Sequence, residues 1–299
     1  MSTATPIKQI LVPVRFDGAS EKLLAYAGAM ARALGVELVL LYNTGTPELT
    51  FTQQSRAIQA LRTLADHHLA QPYDDSLKGF ECVVRPGSLQ ESIKAVVQDY
   101  AIDMVVVQAV PTLGTSPEED TAAALINLLD VPVLAVPTAK AYQNLRHLVF
   151  ATDFTDKDPK VLERIQGFAN QASARLTLVQ VYSLADKPQL SAMNQAMREV
   201  EAQLRGSNVR VRLLEEEDVL EGISEFAEQE QADMLLLATQ DNYLMERLFS
   251  NAYVKTKAYH TRIPLLTYRQ LKRKPCSGCC ANCKSKNSQP LQAIEVIAG

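Results

Sequence analysis

Ile10-Leu11-Val12-Pro13-Val14-Arg15-Phe16 and Leu148-Val149-Phe150-Ala151-Thr152-Asp153-Phe154 can be laid over one another without a gap, and each opens one half of the chain. Both are short apolar runs rich in β-branched or aromatic residues, as expected of a strand buried on both faces. After the first comes Asp17-Gly18, which is turn chemistry, and then Leu23, Ala27, Met30 and Leu34 at helical spacing. Gly35 follows, a residue able to close a helix in the left-handed conformation. Val36 to Tyr42 is the next strand. A helix through Ile58, Leu61 and Leu64 stops before Pro72, and Phe80 to Val84 is a third strand. Ser88 with Glu91 forms a capping box for a helix that leads into the strand Ile102 to Val107. Ser116-Pro117-Glu118-Glu119 opens a further helix, and Val131 to Val136 completes five strands and four helices.

The second half runs through the same order. Asp158-Pro159 opens a helix, Leu176 to Tyr182 is a strand, Met193 to Leu204 a helix, Val209 to Leu214 a strand and Val219 to Glu230 a helix. Ala232-Asp233-Met234-Leu235-Leu236-Leu237 matches Ile102-Asp103-Met104-Val105-Val106-Val107, and Ile263-Pro264-Leu265-Leu266 matches Val131-Pro132-Val133-Leu134. Duplication is the simplest explanation. Strands alternating with helices need crossover connections, so each half is expected to be a mostly parallel α/β sheet with helices on both faces. The expected division is residues 1–140, 141–268 and a basic, cysteine-rich tail over 269–299.

Composition agrees with two compact domains: 299 residues, 47% hydrophobic and 21% charged. The formal net charge of −4 supplies no bulk attraction for nucleic acid or an anionic membrane. Met1 to Gln9 lacks the cationic flank and apolar core of a signal peptide, and no apolar run approaches the roughly 18 residues of a membrane span. A cytoplasmic protein is expected. Cys82 alone lies outside the tail, so neither domain has an internal disulfide available to it.

Three blocks carry a family likeness: the opening "ILVPVRFDGASEKLLAYAGAMARALGVELVLLYN", the strand entries "AIDMVVV" and "QADMLLL", and the closing "VPVLAVP" and "RIPLLTY". In that order and spacing they resemble universal stress protein domains, twice, over residues 7–137 and 145–268. The resemblance implies two tandem doubly wound domains of the adenine nucleotide alpha hydrolase type, each with a five-stranded sheet. It further implies that the last strands, Val133 to Val136 and Leu265 to Tyr268, meet as an internal pseudo-dimer, with a homodimer as a further option.

Nucleotide-binding members of that family hold adenine with an aspartate at the end of the first strand and wrap the phosphates in a G-x2-G-x9-G-[ST] loop. Glycines there let backbone amides approach the phosphate oxygens, and the next helix N-terminus favours negative charge. In the first half the acid's position holds Arg15, and Gln108 and Pro111 fill the first two glycine positions, Pro111 removing a donor. Glu118, Glu119 and Asp120 follow where phosphate would need a positive potential. In the second half Asp153 keeps the acid, but Ala238, Asp241 and Asn251 replace the glycines and Ala252 the hydroxyl. The resemblance would set Thr152, Asp153, Phe154, Val181 and Thr239 around any ATP or AMP. Asp153 equally reads as an inherited capping or turn residue. Arg247, Lys255 and Lys257 offer an anion little more than a solvated helix face.

Other constellations read blandly. His67 and His68 point about 100° apart on a helix, which does not suit a metal site. His147 and His260 stand alone, and no P-loop, G-x-G-x-x-G, G-x-S-x-G or H-E-x-x-H occurs. Glu215-Glu216-Glu217-Asp218 reads as a solvated helix entry. The tail differs: Cys276, Cys279, Cys280 and Cys283 sit among Arg269, Lys272, Arg273, Lys274, Lys284 and Lys286. Nearby positive charge lowers thiol pKa values, which suits zinc or copper(I) binding, or disulfide exchange, although the ligands are crowded for a mononuclear zinc site and an inert tail stays open. No aromatic residue interleaves the basic ones, so nucleic acid is not an expected partner. Three functions follow as expectations: a non-enzymatic stress-response protein acting through an unidentified protein partner, an ATP or AMP sensor using the second half, and a metal- or thiol-handling protein using the tail.

Overall fold

The computed structural model describes residues 6–69, 77–109, 122–138, 140–151, 159–204, 208–239 and 263–269. The first half comprises β1 (Gln9–Val14), α1 (Gly18–Leu34), β2 (Glu37–Asn43), α2 (Phe51–Leu69), β3 (Phe80–Arg85), α3 (Leu89–Asp99), β4 (Met104–Ala109), α4 (Ala122–Leu128) and β5 (Val133–Pro137). The second comprises β6 (His147–Ala151), α5 (Pro159–Gln171), β7 (Arg175–Tyr182), α6 (Leu190–Gln203), β8 (Val209–Glu215), α7 (Val219–Gln229), β9 (Met234–Thr239) and β10 (Leu265–Arg269). A 3-10 turn, Leu184–Gln189, runs directly into α6; Pro188 stands inside it.

The ten strands among the described residues form one sheet in the order β3-β2-β1-β4-β5-β10-β9-β6-β7-β8. Neighbours within each half run parallel, whereas β5 and β10 pair antiparallel with Leu265 opposite Ala135, Leu266 opposite Leu134 and Thr267 opposite Val133. Thr267 adds a side-chain bond, its Oγ1 donating to the Val133 carbonyl at 3.0 Å. Val133, Leu134, Ala135, Leu265 and Leu266 are all buried, so the join between halves is as apolar as any other part of the sheet.

Period-two alternation sends each strand's side chains to two layers. Ile10, Val12 and Val14 of β1, with Leu148 and Phe150 of β6, face α1, α2, α5 and α6. Leu11 and Val149 face α3, α4 and α7. Each layer is continuous across both halves. Gln171, the last residue of α5, ties them further: its Oε1 accepts from the Ile7 amide at 3.0 Å, and its Nε2 donates to the carbonyls of Ile7 at 2.8 Å and Leu34 at 3.2 Å. Tyr142, in the connection, meets Tyr26 of α1 edge-on with ring centroids 5.3 Å apart.

Helix ends follow their local chemistry. Asp17 caps α1 by accepting from the Ser20 amide at 2.7 Å, and that bond holds its carboxyl below the usual range. Gly35 closes the helix at φ 65°. Ser88 caps α3: the Glu91 amide donates to Ser88 Oγ at 3.3 Å, and that hydroxyl donates to Glu91 Oε2 at 3.0 Å. Each half also pins its first strand on the aspartate before its fourth. Asp103 Oδ2 accepts from Lys8 and Gln9 at 2.7 and 3.1 Å, and Asp233 Oδ2 from Arg146 and His147 at 2.7 and 2.9 Å. No helix among the described residues is long and apolar enough to cross a membrane.

Candidate ligand-binding mouths

An open α/β sheet takes ligands beyond the carboxyl ends of its strands, where the strand order reverses. That place lies between β1 and β4 in the first half and between β6 and β9 in the second.

In the first half the rim beside this crevice is tied up by its own side chains. Arg15 leaves β1 with its amide donating to Ser20 Oγ at 2.9 Å. Phe16 stands half-exposed and meets Tyr42 of β2 edge-on, centroids 4.6 Å apart. Asn43, which ends β2, directs its amide nitrogen at Ser92 Oγ (2.8 Å) and at the carbonyls of Gly87 (3.1 Å), Arg85 (3.3 Å) and Ser88 (3.4 Å). Its Oδ1 accepts from the Gly45 amide at 3.0 Å, Ser92 Oγ donates to the Pro86 carbonyl at 3.1 Å, and the Gly87 amide reaches the Thr46 carbonyl at 2.7 Å. The loops after β2 and β3 therefore hold each other shut. Gln108 sits half-buried in β4; Pro111, Glu118, Glu119 and Asp120 lie outside the described residues.

The second half spends its charges locally as well. Ser183 and Asp186 cap the 3-10 turn through Asp186 Oδ2, which accepts from the Ser183 amide at 3.0 Å and its hydroxyl at 2.8 Å. All four acids of the run over 215–218 have work. Glu215 pairs with Lys187 at 2.9 Å and accepts from Tyr182 at 3.2 Å, Glu216 accepts from the Glu217 amide at 2.9 Å, Glu217 from the Leu184 amide at 3.1 Å, and Asp218 from the Glu221 amide at 3.2 Å. The Lys187 hydrogen bond pulls the Glu215 carboxyl down and raises the ammonium in return. The run is a helix entry cross-braced to the turn beyond β7.

Of the residues singled out for nucleotide, Val181 lies half-buried near the end of β7, against Gly222 of α7: a Cβ added to that glycine would sit 3.1 Å from Val181 Cγ1 and 2.9 Å from Glu216 Cβ. Thr239 ends β9 opposite Arg269, its backbone placed and its side chain outside the description. Ala238 is half-buried one residue earlier. Thr152, Asp153, Phe154, Asp241, Asn251, Ala252, Arg247, Lys255, Lys257, His260 and the four tail cysteines lie outside the described residues. His67 and His68 touch edge-on, centroids 4.9 Å apart, with His68 Nε2 turned to Glu21 at 3.9 Å. Among the described residues no group of three or more metal-ligating side chains converges. Asn43, Ser92, Lys187 and Gln171 were not legible as structural hubs; each is one polar residue at an element's end, and only the fold supplies its partners.

The model of the universal stress protein family matches the chain twice, over residues 6–137 and 144–269. The chain belongs to the universal stress protein family. Among solved structures it is similar to a universal stress protein from Archaeoglobus fulgidus DSM 4304, at TM-score 0.63 and 13% identity, over 90% of this chain and 99% of that one. It is also similar to a functionally unknown protein from Pseudomonas aeruginosa PAO1, at TM-score 0.58 and 17% identity, over 88% and 92% of the two chains. At such identities the likeness speaks for the fold. No curated protein matches the chain by sequence. Within the family, then, this is a tandem member with Arg15 at the end of its first strand and the sequence Thr152-Asp153-Phe154 at the matching point of its second half.

Proposed function

We propose that the chain is a non-enzymatic stress-response protein of the universal stress type that acts through interaction with a protein partner, its ATP binding lost. The observation that carries this reading is the first half's mouth. Arg15 directly follows β1, where nucleotide-binding members carry an acid for adenine, and the polar groups of the loops after β2 and β3 are spent on one another. A buried polar group already paired has little to offer a ligand. The absence of any catalytic motif in the sequence supports action without chemistry. The antiparallel pairing of β5 with β10 supports reading the two halves as one internal pseudo-dimer, with a homodimer of such units as a further level, and we place the protein in the cytoplasm.

A second reading, an ATP or AMP sensor using the second half, is favoured by Asp153 at the adenine position. A third, metal or thiol handling by Cys276, Cys279, Cys280 and Cys283, is favoured by their cationic surroundings. Isothermal titration of the full chain with ATP separates the first two: no saturable heat is expected, and micromolar binding abolished by Asp153→Ala overturns the interaction reading in favour of the sensor. Zinc and copper content after purification, compared with a chain ending at Lys274, tests the third; metal retained by the full chain alone establishes it.

A further inference from the structure

His147 is buried to 4% exposure at the start of β6, and its ring is held from three sides. Nε2 lies 2.8 Å from Thr177 Oγ1 of β7. Nδ1 lies 2.9 Å from the Glu230 carbonyl, just past α7, and also 2.9 Å from the Arg175 guanidinium, which begins β7. These two neighbours make opposite demands on one atom. A carbonyl needs Nδ1 to carry a proton, whereas a guanidinium needs its lone pair. Neutral imidazole with its proton on Nε2 accepts from Arg175 and donates to Thr177. Imidazolium donates to the Glu230 carbonyl and repels Arg175, which has the Glu230 carboxylate 4.0 Å away.

We propose that the corner built by His147, Arg175 and Glu230 is an acid-sensitive latch: protonation puts a second positive charge beside the Arg175 guanidinium in a buried site, a cost that one bond to the Glu230 carbonyl does not offset, so the end of α7 opens from β6 and β7 more readily. The charged groups facing the ring are Arg175 from β7, Glu230 from the end of α7 and Asp233 from the turn before β9, whose Oδ2 is occupied by the amides of Arg146 and His147. The first half provides an internal control. There Gln9 takes the place of His147 and Glu37 that of Arg175, the two directly opposite in β1 and β2 as His147 and Arg175 are in β6 and β7. Gln9 Nε2 donates to Glu37 Oε2 at 3.3 Å, and the corner holds no group that changes charge between pH 5 and 8. Acid sensitivity is thus built into one half only. The other end of α7 packs Gly222 on Val181 and Glu216, so a loosened helix is felt at the second half's mouth.

Burial is the main force holding the His147 imidazolium below its usual range; the Arg175 charge acts in the same sense, against the Glu230 carbonyl and the charges of Glu230 and Asp233. The unfolded or opened chain therefore binds the proton more tightly than the closed one. Stability is complete above the unfolded pKa of about 6.5 and declines as pH falls from there toward the folded midpoint.

The test uses the full chain in two measurements. In an NMR titration of the four histidines, the His147 midpoint is expected below about 6.5. Amide exchange, corrected for intrinsic chemistry, is expected to accelerate over residues 219–233 and 147–151 by up to about tenfold per pH unit as pH falls from about 6.5 toward the His147 midpoint, while residues 9–14 and 89–99 do not respond. His147→Gln, which copies Gln9, abolishes the acceleration. Arg175→Gln raises the His147 midpoint without touching the ring, and decides the matter if His147→Gln does not fold. A wild-type midpoint at or above 6.5, a midpoint unmoved by Arg175→Gln, or equal acceleration in His147→Gln overturns the latch.

Discussion

Removing the Gln171 side chain tests whether the halves stand or fall together. Gln171→Ala deletes one bond from the Ile7 amide and two to the carbonyls of Ile7 and Leu34, all to backbone that has no other reason to face α5. Each such bond contributes about 1 kcal/mol net. The site is only part-buried, so water recovers a fraction, and the expected loss is about 2–3 kcal/mol. Because the deleted bonds run between halves, the loss belongs to their docking and not to the interior of either one. Urea unfolding followed by far-UV circular dichroism is the assay. The wild type is expected to unfold in one transition, since both apolar layers run unbroken across the join. The variant is expected to shift to lower urea and to broaden or split as the first half gains independence. A shift worth less than about 0.5 kcal/mol, the range of an ordinary surface substitution, would refute the argument.

Three further expectations are simpler. Gly222→Ala should destabilise by about 1–2 kcal/mol in a thermal melt, because its methyl meets Glu216 Cβ at 2.9 Å and Val181 Cγ1 at 3.1 Å and that clash outweighs the helix-propensity gain; a stabilised variant contradicts the packing. Asp17→Ala removes the α1 cap and should cost about 1 kcal/mol at pH 7, with the difference vanishing as acid protonates Asp17, whose carboxyl is held below its usual range; an equal cost at pH 7 and at pH 2.5 would rule out the cap. Cys82, half-buried with its thiol pushed up to about 11, should react with iodoacetamide at pH 8 more than tenfold slower than a free cysteine and accelerate steadily toward pH 11, measured in a chain with the four tail cysteines replaced by serine; reaction at the free-thiol rate removes the burial argument.

The inner strands were legible because each is an apolar run buried on both faces, and the edge strands β3 and β8 because apolar and polar residues alternate along them. The strands expected over Leu176 to Tyr182 and Val209 to Leu214 are found as β7 and β8, each beginning or ending within a residue of those limits. Helix ends were legible where one residue type does one job, as at Ser88 and Gly35. The turn over Leu184–Gln189 was not, since Pro188 argues against a helix and only the bond from Ser183 to Asp186 makes a short 3-10 segment worthwhile there. Of the candidate site, Val181 could be placed from its strand. What the first half does with Asn43 could not, because its partners at Arg85, Gly87 and Ser92 are more than forty residues away and carry no mark in the sequence. His147 looked solitary for the same reason: its three neighbours come from β7 and the end of α7.

The antiparallel seam between β5 and β10 also explains how so short a connector suffices. Where a parallel sheet of one half meets its copy head to tail, the edge at which β5 finishes is the edge at which β6 starts. Residues 138–146 have only to pass over β10 and β9, about 14 Å at the usual strand spacing, while a fully extended stretch of that length reaches about 30 Å. A parallel seam would have sent the chain back along the whole length of a strand. The slack is not wasted, for it lets Tyr142 fold down on Tyr26 and Leu145 bury itself beneath the sheet's rim. In polymer terms the two copies were joinable in one gene without a tether, and a longer linker inserted here should leave the seam intact.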